Sequence, residues 1–131
     1  MMATIQKVMD VEASVEDVWN KISNVGAISE VVGFVTESQL DGDVRVCKMA
    51  DGGVLEETII SIDSALRRVS YCITKSPLNL EFHAASMQVV SKGKGTSMIW
   101  ITDLKPDSMA DLLDSIFEEA VPGIKIALES N

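Results

Sequence analysis

Few residues in this chain are equipped for chemistry, and most of them gather in one stretch. In Gly53–Ile73, GVLEETIISIDSALRRVSYCI, the carboxylate of Glu57 stands in step with Leu55 and Ile59. The period of two predicts a strand, with Leu55, Glu57, Ile59 and Ser61 on one face and Val54, Glu56, Thr58, Ile60 and Ile62 on the other. A carboxylate on an apolar face is suited to be a general base or the polar contact of a bound molecule. After the turn Asp63-Ser64-Ala65-Leu66, the return strand puts Tyr71 on a face with Val69 and Ile73, opposite Arg68, Ser70, Cys72 and Thr74. The only histidine, His83, is out of phase with Phe82, which predicts an exposed ring. Glu57, Tyr71 and His83 are the candidate catalytic groups. No Asp-His or Arg-His set of evident spacing accompanies them.

Each has a plainer structural reading. Glu57 could be a solvated strand residue, or the partner of Arg45 in an ion pair. Cys47 and Cys72 are predicted on strands separated by a third, about 9–10 Å apart at ordinary strand spacing. That is beyond disulfide reach. With one histidine and two separated thiols, no metal site is expected. Trp19 falls into a helical stripe with Val15, Val18 and Ile22, which assigns it to the core. The methionines read as fillers of core gaps.

The elements that must position these groups can be read in order. Thr4–Val11 is a strand. Ser14 caps a helix, with Asp17 placed to answer it in a capping box. Asn24-Val25-Gly26 ends that helix, and Ala27–Val31 makes a second short one. Phe34–Leu40 and Val44–Met49 are strands joined by Asp41-Gly42-Asp43. After Thr74, the segment containing Pro77 is a loop. Leu80–Lys92 and Thr96–Leu104 form a hairpin about Gly93-Lys94-Gly95. Asp107 or Ser108 then caps a long helix with Met109, Leu112, Leu113, Ile116, Phe117, Ala120, Ile124, Ala127 and Leu128 in its stripe. Pro122 and Gly123 interrupt that stripe, predicting a kink or break near residues 118–123.

One turn decides which side chains face Glu57. If Asp51-Gly52-Gly53 is a three-residue loop, Ala50 pairs with Val54, Cys47 opposes Glu57, Met49 opposes Leu55, and Arg45 lies diagonal to Glu57. If only Asp51-Gly52 loops, Val46 opposes Glu57 and the whole face inverts.

Gly53, Glu57-x-Ile59, Asp63 and Arg67-Arg68-Val69-x-Tyr71-x-Ile73 together resemble the SRPBCC superfamily. Ala13-Ser14 with Val18-Trp19, Gly42-x-x-Arg45, Glu81-Phe82-His83-Ala84, Gly95-Thr96-x-x-x-Trp100 and the long last helix agree with it in order. That superfamily includes birch-allergen relatives, START lipid-transfer domains, plant abscisic acid receptors and bacterial polyketide cyclase/dehydrase-like proteins, and the last are the most similar. The resemblance implies an α+β helix-grip fold: a seven-stranded curved antiparallel sheet around the C-terminal helix, with two short helices after strand 1. It also implies a ligand cavity between sheet and helix, and places Cys47 and Met49 on the concave side, which favours the three-residue loop. With the strand phases above, the expected ligand-binding face is Cys47, Met49, Leu55, Glu57 and Ile59, continued by Tyr71 and Ile73 and then by Leu80, Phe82 and Ala84. The helix contributes Ile116, Phe117 and Ala120. Glu57 matches the glutamate of the abscisic acid receptors' polar network. Their carboxylate-binding lysine has no counterpart, because Phe34–Leu40 contains no Lys or Arg.

Composition bounds the function. The 131 residues are expected to form one domain, residues 1–131, with a single core. A chain 47% hydrophobic and 24% charged is not disordered. Net charge is −9 with no basic cluster beyond Arg67-Arg68, which argues against nucleic acid and anionic membrane surfaces. Apolar runs fall short of the roughly 18–20 residues that span a bilayer, so no membrane insertion is expected. The first residues lack a basic segment followed by an apolar one, so a cytoplasmic protein is expected. The expected function is binding or carriage of a hydrophobic small molecule without a cofactor. The alternative is a polyketide cyclase or dehydratase using Glu57 as general base. Monomer and dimer both remain open.

Overall fold

Alternation of buried and exposed residues decides the sheet. In the computed structural model, which describes residues 1–130, the strands are β1 (Ala3–Val11), β2 (Val35–Asp41), β3 (Val44–Met49), β4 (Val54–Asp63), β5 (Arg68–Lys75), β6 (Phe82–Lys92) and β7 (Gly95–Lys105). They form one antiparallel sheet in the order β1-β7-β6-β5-β4-β3-β2. On β7, Met98, Trp100, Thr102 and Leu104 are buried in alternation with half-buried Ile99, Ile101 and Asp103. An antiparallel sheet with one face on the core shows this alternation. Helix α1 (Val15–Ser23), a 3₁₀ segment (Val25–Glu30) and helix α2 (Ala110–Glu129) complete the helix-grip α+β fold.

Ser14 caps helix α1 as the sequence predicts. Ser14 Oγ accepts the Asp17 N–H at 3.1 Å, and Val18, Trp19 and Ile22 are buried. The start of α2 differs. Neither Asp107 nor Ser108 caps it; a 3₁₀ turn, Asp107–Met109, leads into the helix without a side-chain cap. No break occurs at Pro122, and α2 runs through it. Pro122 and Glu118 both lie on the exposed side, so the carbonyl that loses its N–H partner is beside solvent, where the loss costs least. Leu112, assigned to the stripe, is half exposed; Leu113, Phe117, Ile124 and Leu128 carry the buried face.

Three ties hold α2 across the first strand and helix. Lys7 bridges Asp114 at 2.9 Å and also Glu118. The Glu12 N–H donates to the Glu129 carboxylate at 2.7 Å. Lys21 Nζ donates to the Ala127 carbonyl at 2.8 Å and to that of Ser130, capping a helix end whose carbonyls lack intrahelical donors.

The β3–β4 register matches neither sequence alternative. Arg45 pairs with Glu57, Cys47 with Leu55, and Lys48 with Val54. The loop does have three residues, but they are Ala50-Asp51-Gly52, closed by the Met49 N–H on the Gly53 carbonyl at 2.8 Å. Gly52, at φ +92°, takes the left-handed position, and the Asp51 carboxylate accepts the Gly53 N–H at 2.8 Å. The shift keeps parity, so Cys47, Met49, Leu55 and Glu57 stay on the concave side while Arg45 moves from a diagonal to a directly opposed position.

The phase of β6 is inverted relative to expectation. His83, Ala85, Met87 and Val89 are buried, and Phe82 is 44% exposed. The reason lies in β5: its ladder with β6 ends at Tyr71↔Ala85, and His83 Nδ1 then accepts the Ile73 N–H at 3.0 Å. The imidazole takes the place of a ladder bond, which requires it to point inward.

Candidate functional site

The concave face and α2 leave a cavity of about 60 Å³. Its apolar wall includes Val32, Phe34, Leu55, Ile73, Trp100 and Phe117, and its polar points are Arg45, Glu57, Tyr71 and His83. Phe117 brings α2 to within 4.3 Å of the Trp100 ring, centroid to centroid, and Phe34 stacks with Phe117 at 6.5 Å. Among the six aromatic residues of the chain, four are gathered here.

The centre of the polar group is an ion pair. Arg45 Nε donates to Glu57 Oε1 at 2.8 Å, with the two side chains only 3% and 7% exposed. Arg45 Nη1 donates to the Val25 carbonyl at 3.0 Å, tying the pair to the 3₁₀ segment. Cys47 Sγ donates to the same carboxylate oxygen at 3.4 Å. The guanidinium lies 5.0 Å from the Tyr71 ring centroid, within cation–π range. The Tyr71 hydroxyl accepts the indole N–H of Trp100 at 3.0 Å. Apart from the Val25 carbonyl, every partner is held on a strand, so the cluster is rigidly placed.

Burial sets the protonation states. It pushes the Cys47 thiol up to about 12, helped by the adjacent Glu57 charge and opposed by Arg45. The Tyr71 phenol is raised by burial first and by Glu57 second. Both stay protonated at neutral pH. His83 is lowered to about 4 by burial, so the ring is neutral, and its bond to Ile73 puts the proton on Nε2.

Of the expected ligand-binding residues, Cys47, Leu55, Glu57, Tyr71, Ile73 and Phe117 line the cavity. Ile116 and Ala120 instead line a groove of about 300 Å³ outside it, with Gly33, Glu119 and Gly123. Phe34 is the residue that cavity and groove share. Leu80 and Phe82 line a crevice of about 380 Å³ where β5 and β6 separate, and Ile73 and His83 stand between it and the cavity. Met49, Ile59 and Ala84 line none of these spaces. His83, expected outside, is in the wall. Trp19 is core and Trp100 is wall. Arg45 was legible from parity alone, since it is two residues from Cys47 on one strand. Phe34, expected as the first residue of a strand, precedes β2 and turns into the wall.

A family model described as polyketide cyclase / dehydrase and lipid transport matches residues 2–129. The chain belongs to this family. It is thereby a member of the SRPBCC superfamily, and its fold is that of a hydrophobic ligand-binding family. An uncharacterized protein from Bacillus thuringiensis has the same fold at TM-score 0.87 and 18% identity, over 98% of this chain and 100% of that one. Norcoclaurine synthase from Thalictrum flavum, in truncated form, superposes at TM-score 0.74 and 16% identity, over 98% and 92%. The protein Ara h 8.0201 does so at 0.75 and 12%, over the whole of both chains. At these identities the likeness is one of fold. A search of the curated proteins gave no match. Among the described residues, no helix is long and apolar enough to cross a membrane, and no group of three or more His, Cys, Asp or Glu side chains is placed to hold a metal ion.

Proposed function

We propose that this protein binds or carries a small hydrophobic molecule between the curved sheet and α2, with the ligand's polar end at Arg45, Glu57 and Tyr71. The cavity carries this reading: aromatic and branched walls converge on a few buried polar atoms, the composition of a small-molecule pocket. About 60 Å³ holds only a few waters, so a ligand must displace a wall. Phe34 is the wall it displaces. Half-buried and preceding β2, it separates the cavity from the groove over α2.

A cyclase or dehydratase using Glu57 as general base is less well supported. Glu57 Oε1 is committed to Arg45 and Cys47, and neither the Cys47 thiol nor the Tyr71 phenol ionises near neutral pH. Native mass spectrometry of freshly purified protein tests the binding reading. An apolar adduct, or saturable binding of the neutral fluorophore N-phenylnaphthylamine, is expected. Phe34→Ala should speed the fluorophore's association. Adduct-free protein that also fails to bind the fluorophore would rule the reading out.

A further inference from the structure

The polar atoms of the cavity carry more information than their presence. Glu57 receives both of its hydrogen bonds, from Arg45 and from Cys47, on Oε1. Arg45 spends Nε on Glu57 and Nη1 on Val25. Glu57 Oε2 and Arg45 Nη2 are left without protein partners among the described residues. Among the described residues no fully enclosed side-chain nitrogen or oxygen lacks a partner, so these two atoms are not sealed off. Both residues line the cavity, and both are more than nine-tenths buried. One free acceptor and one free donor therefore belong to two residues that line the same small space. Two further donors stand by: the Tyr71 hydroxyl, whose oxygen already accepts from Trp100, and His83 Nε2–H, since Nδ1 is taken by Ile73.

The charge of the site is already balanced. A carboxylate arriving there loses its water and meets Glu57 with no uncommitted cation to neutralise it, and burying an unpaired charge is far costlier than burying a hydrogen-bonded neutral group. A primary amide or an alcohol has no such difficulty. Its N–H or O–H can donate to Glu57 Oε2 while its oxygen accepts from Arg45 Nη2 or the Tyr71 hydroxyl.

We infer that the cavity selects an apolar ligand whose buried end is a neutral group with both a donor and an acceptor, and rejects the corresponding carboxylate. This rests on the binding reading above and specifies its ligand. The Arg45–Glu57 pair acts as the selecting element, in the sense that specificity comes from what it repels as much as from what it holds.

The test is a matched series, phenylbutyramide, phenylbutanol and phenylbutyrate, titrated into wild-type protein at a pH where the acid is ionised and followed by NMR. The Trp100 indole N–H, bonded to Tyr71, is the reporter of the buried end. The amide and the alcohol are expected to bind at least about tenfold more tightly than the carboxylate, a difference of about 1.4 kcal/mol. They should also shift the Trp100 signal. Glu57→Gln leaves Arg45 as an uncompensated cation, and the order should reverse in favour of the carboxylate. Equal or tighter binding of the carboxylate to wild type overturns the inference and leaves the binding reading standing. So does binding of N-phenylnaphthylamine with none of the three compounds. Failure of every probe, the fluorophore included, in protein that carries no adduct overturns both. A folded Glu57→Gln protein with the wild-type order overturns the assignment of selection to this pair. If that variant does not fold, the wild-type order decides by itself.

Discussion

Replacing His83 by glutamine removes the one imidazole in the chain while keeping a side-chain acceptor for the Ile73 N–H. In the native protein that imidazole is lowered from 6.5 to about 4, chiefly by burial, with only a backbone hydrogen bond acting the other way. Below pH 6.5 the unfolded chain takes up a proton that the folded chain refuses until about pH 4. The stability from neutral His83 is therefore complete above 6.5 and lost as pH falls through that window. At 1.36 kcal/mol per pH unit, the full loss is roughly 3 kcal/mol, a large share of the 5–15 kcal/mol typical of a domain. Urea unfolding of wild type and His83→Gln at about pH 7.5 and about pH 4.5 measures it. Carboxylates also titrate at the acid end, but they do so in both proteins and drop out of the difference. Wild type should lose most of that 3 kcal/mol relative to the variant between the two conditions. Parallel losses would refute the reasoning, as would an imidazole titrating near 6.5 in the folded protein by NMR.

Three other outcomes are expected. Arg45→Met or Glu57→Leu alone should cost about 3–5 kcal/mol in urea unfolding, because each strands a buried charge, and the double variant should cost less than the sum. Additive losses would show an uncoupled pair. Native protein should react with a thiol reagent at Cys72 only, Cys47 being buried with its thiol pushed up to about 12, and both should react after unfolding. Two fast equivalents in the native state would contradict this placement. Gly123→Ala should raise stability by about 0.5–1 kcal/mol, since its Cβ meets nothing within 4 Å in a helix interior. A lowered melting temperature would show that α2 needs glycine's freedom beside Pro122.

The order and type of the elements were legible because alternation and helical stripes are set by burial on one face. Register was less so. Moving the β3–β4 loop from Asp51-Gly52-Gly53 to Ala50-Asp51-Gly52 shifts the pairing while preserving parity, so the inward residues of both strands were right although their partners were not. Around the start of β6, Leu80, Phe82, Ala84 and the residues between them give no clean alternation. The phase is decided by a contact no periodicity encodes, the His83 bond to the Ile73 N–H. On β7, Ile99, Trp100 and Ile101 are all apolar, so the sequence alone could not choose a face for Trp100. A kink or break is expected at Pro122 because a proline signals one locally, and the break does not occur. Solvent on its side of α2, together with Ile124 and Leu128 fully buried beyond it, keeps the helix whole.

The sheet order has a consequence for how the chain is made. Strands β2 to β7 each pair with the neighbour they follow or precede, whereas β1 pairs with β7, the last of the seven to be synthesised. Hairpins close locally and early, but a pairing between strands far apart in sequence waits on a long loop closure and slows folding. On the ribosome, β1 emerges first and stays unpaired until β7 and then α2 have followed. Until then the growing meander exposes its concave apolar face and a bare edge at β6. A translation stall before Gly95 would thus yield a chain with two open strand edges and no α2 to cover it, a form prone to associate with its own copies.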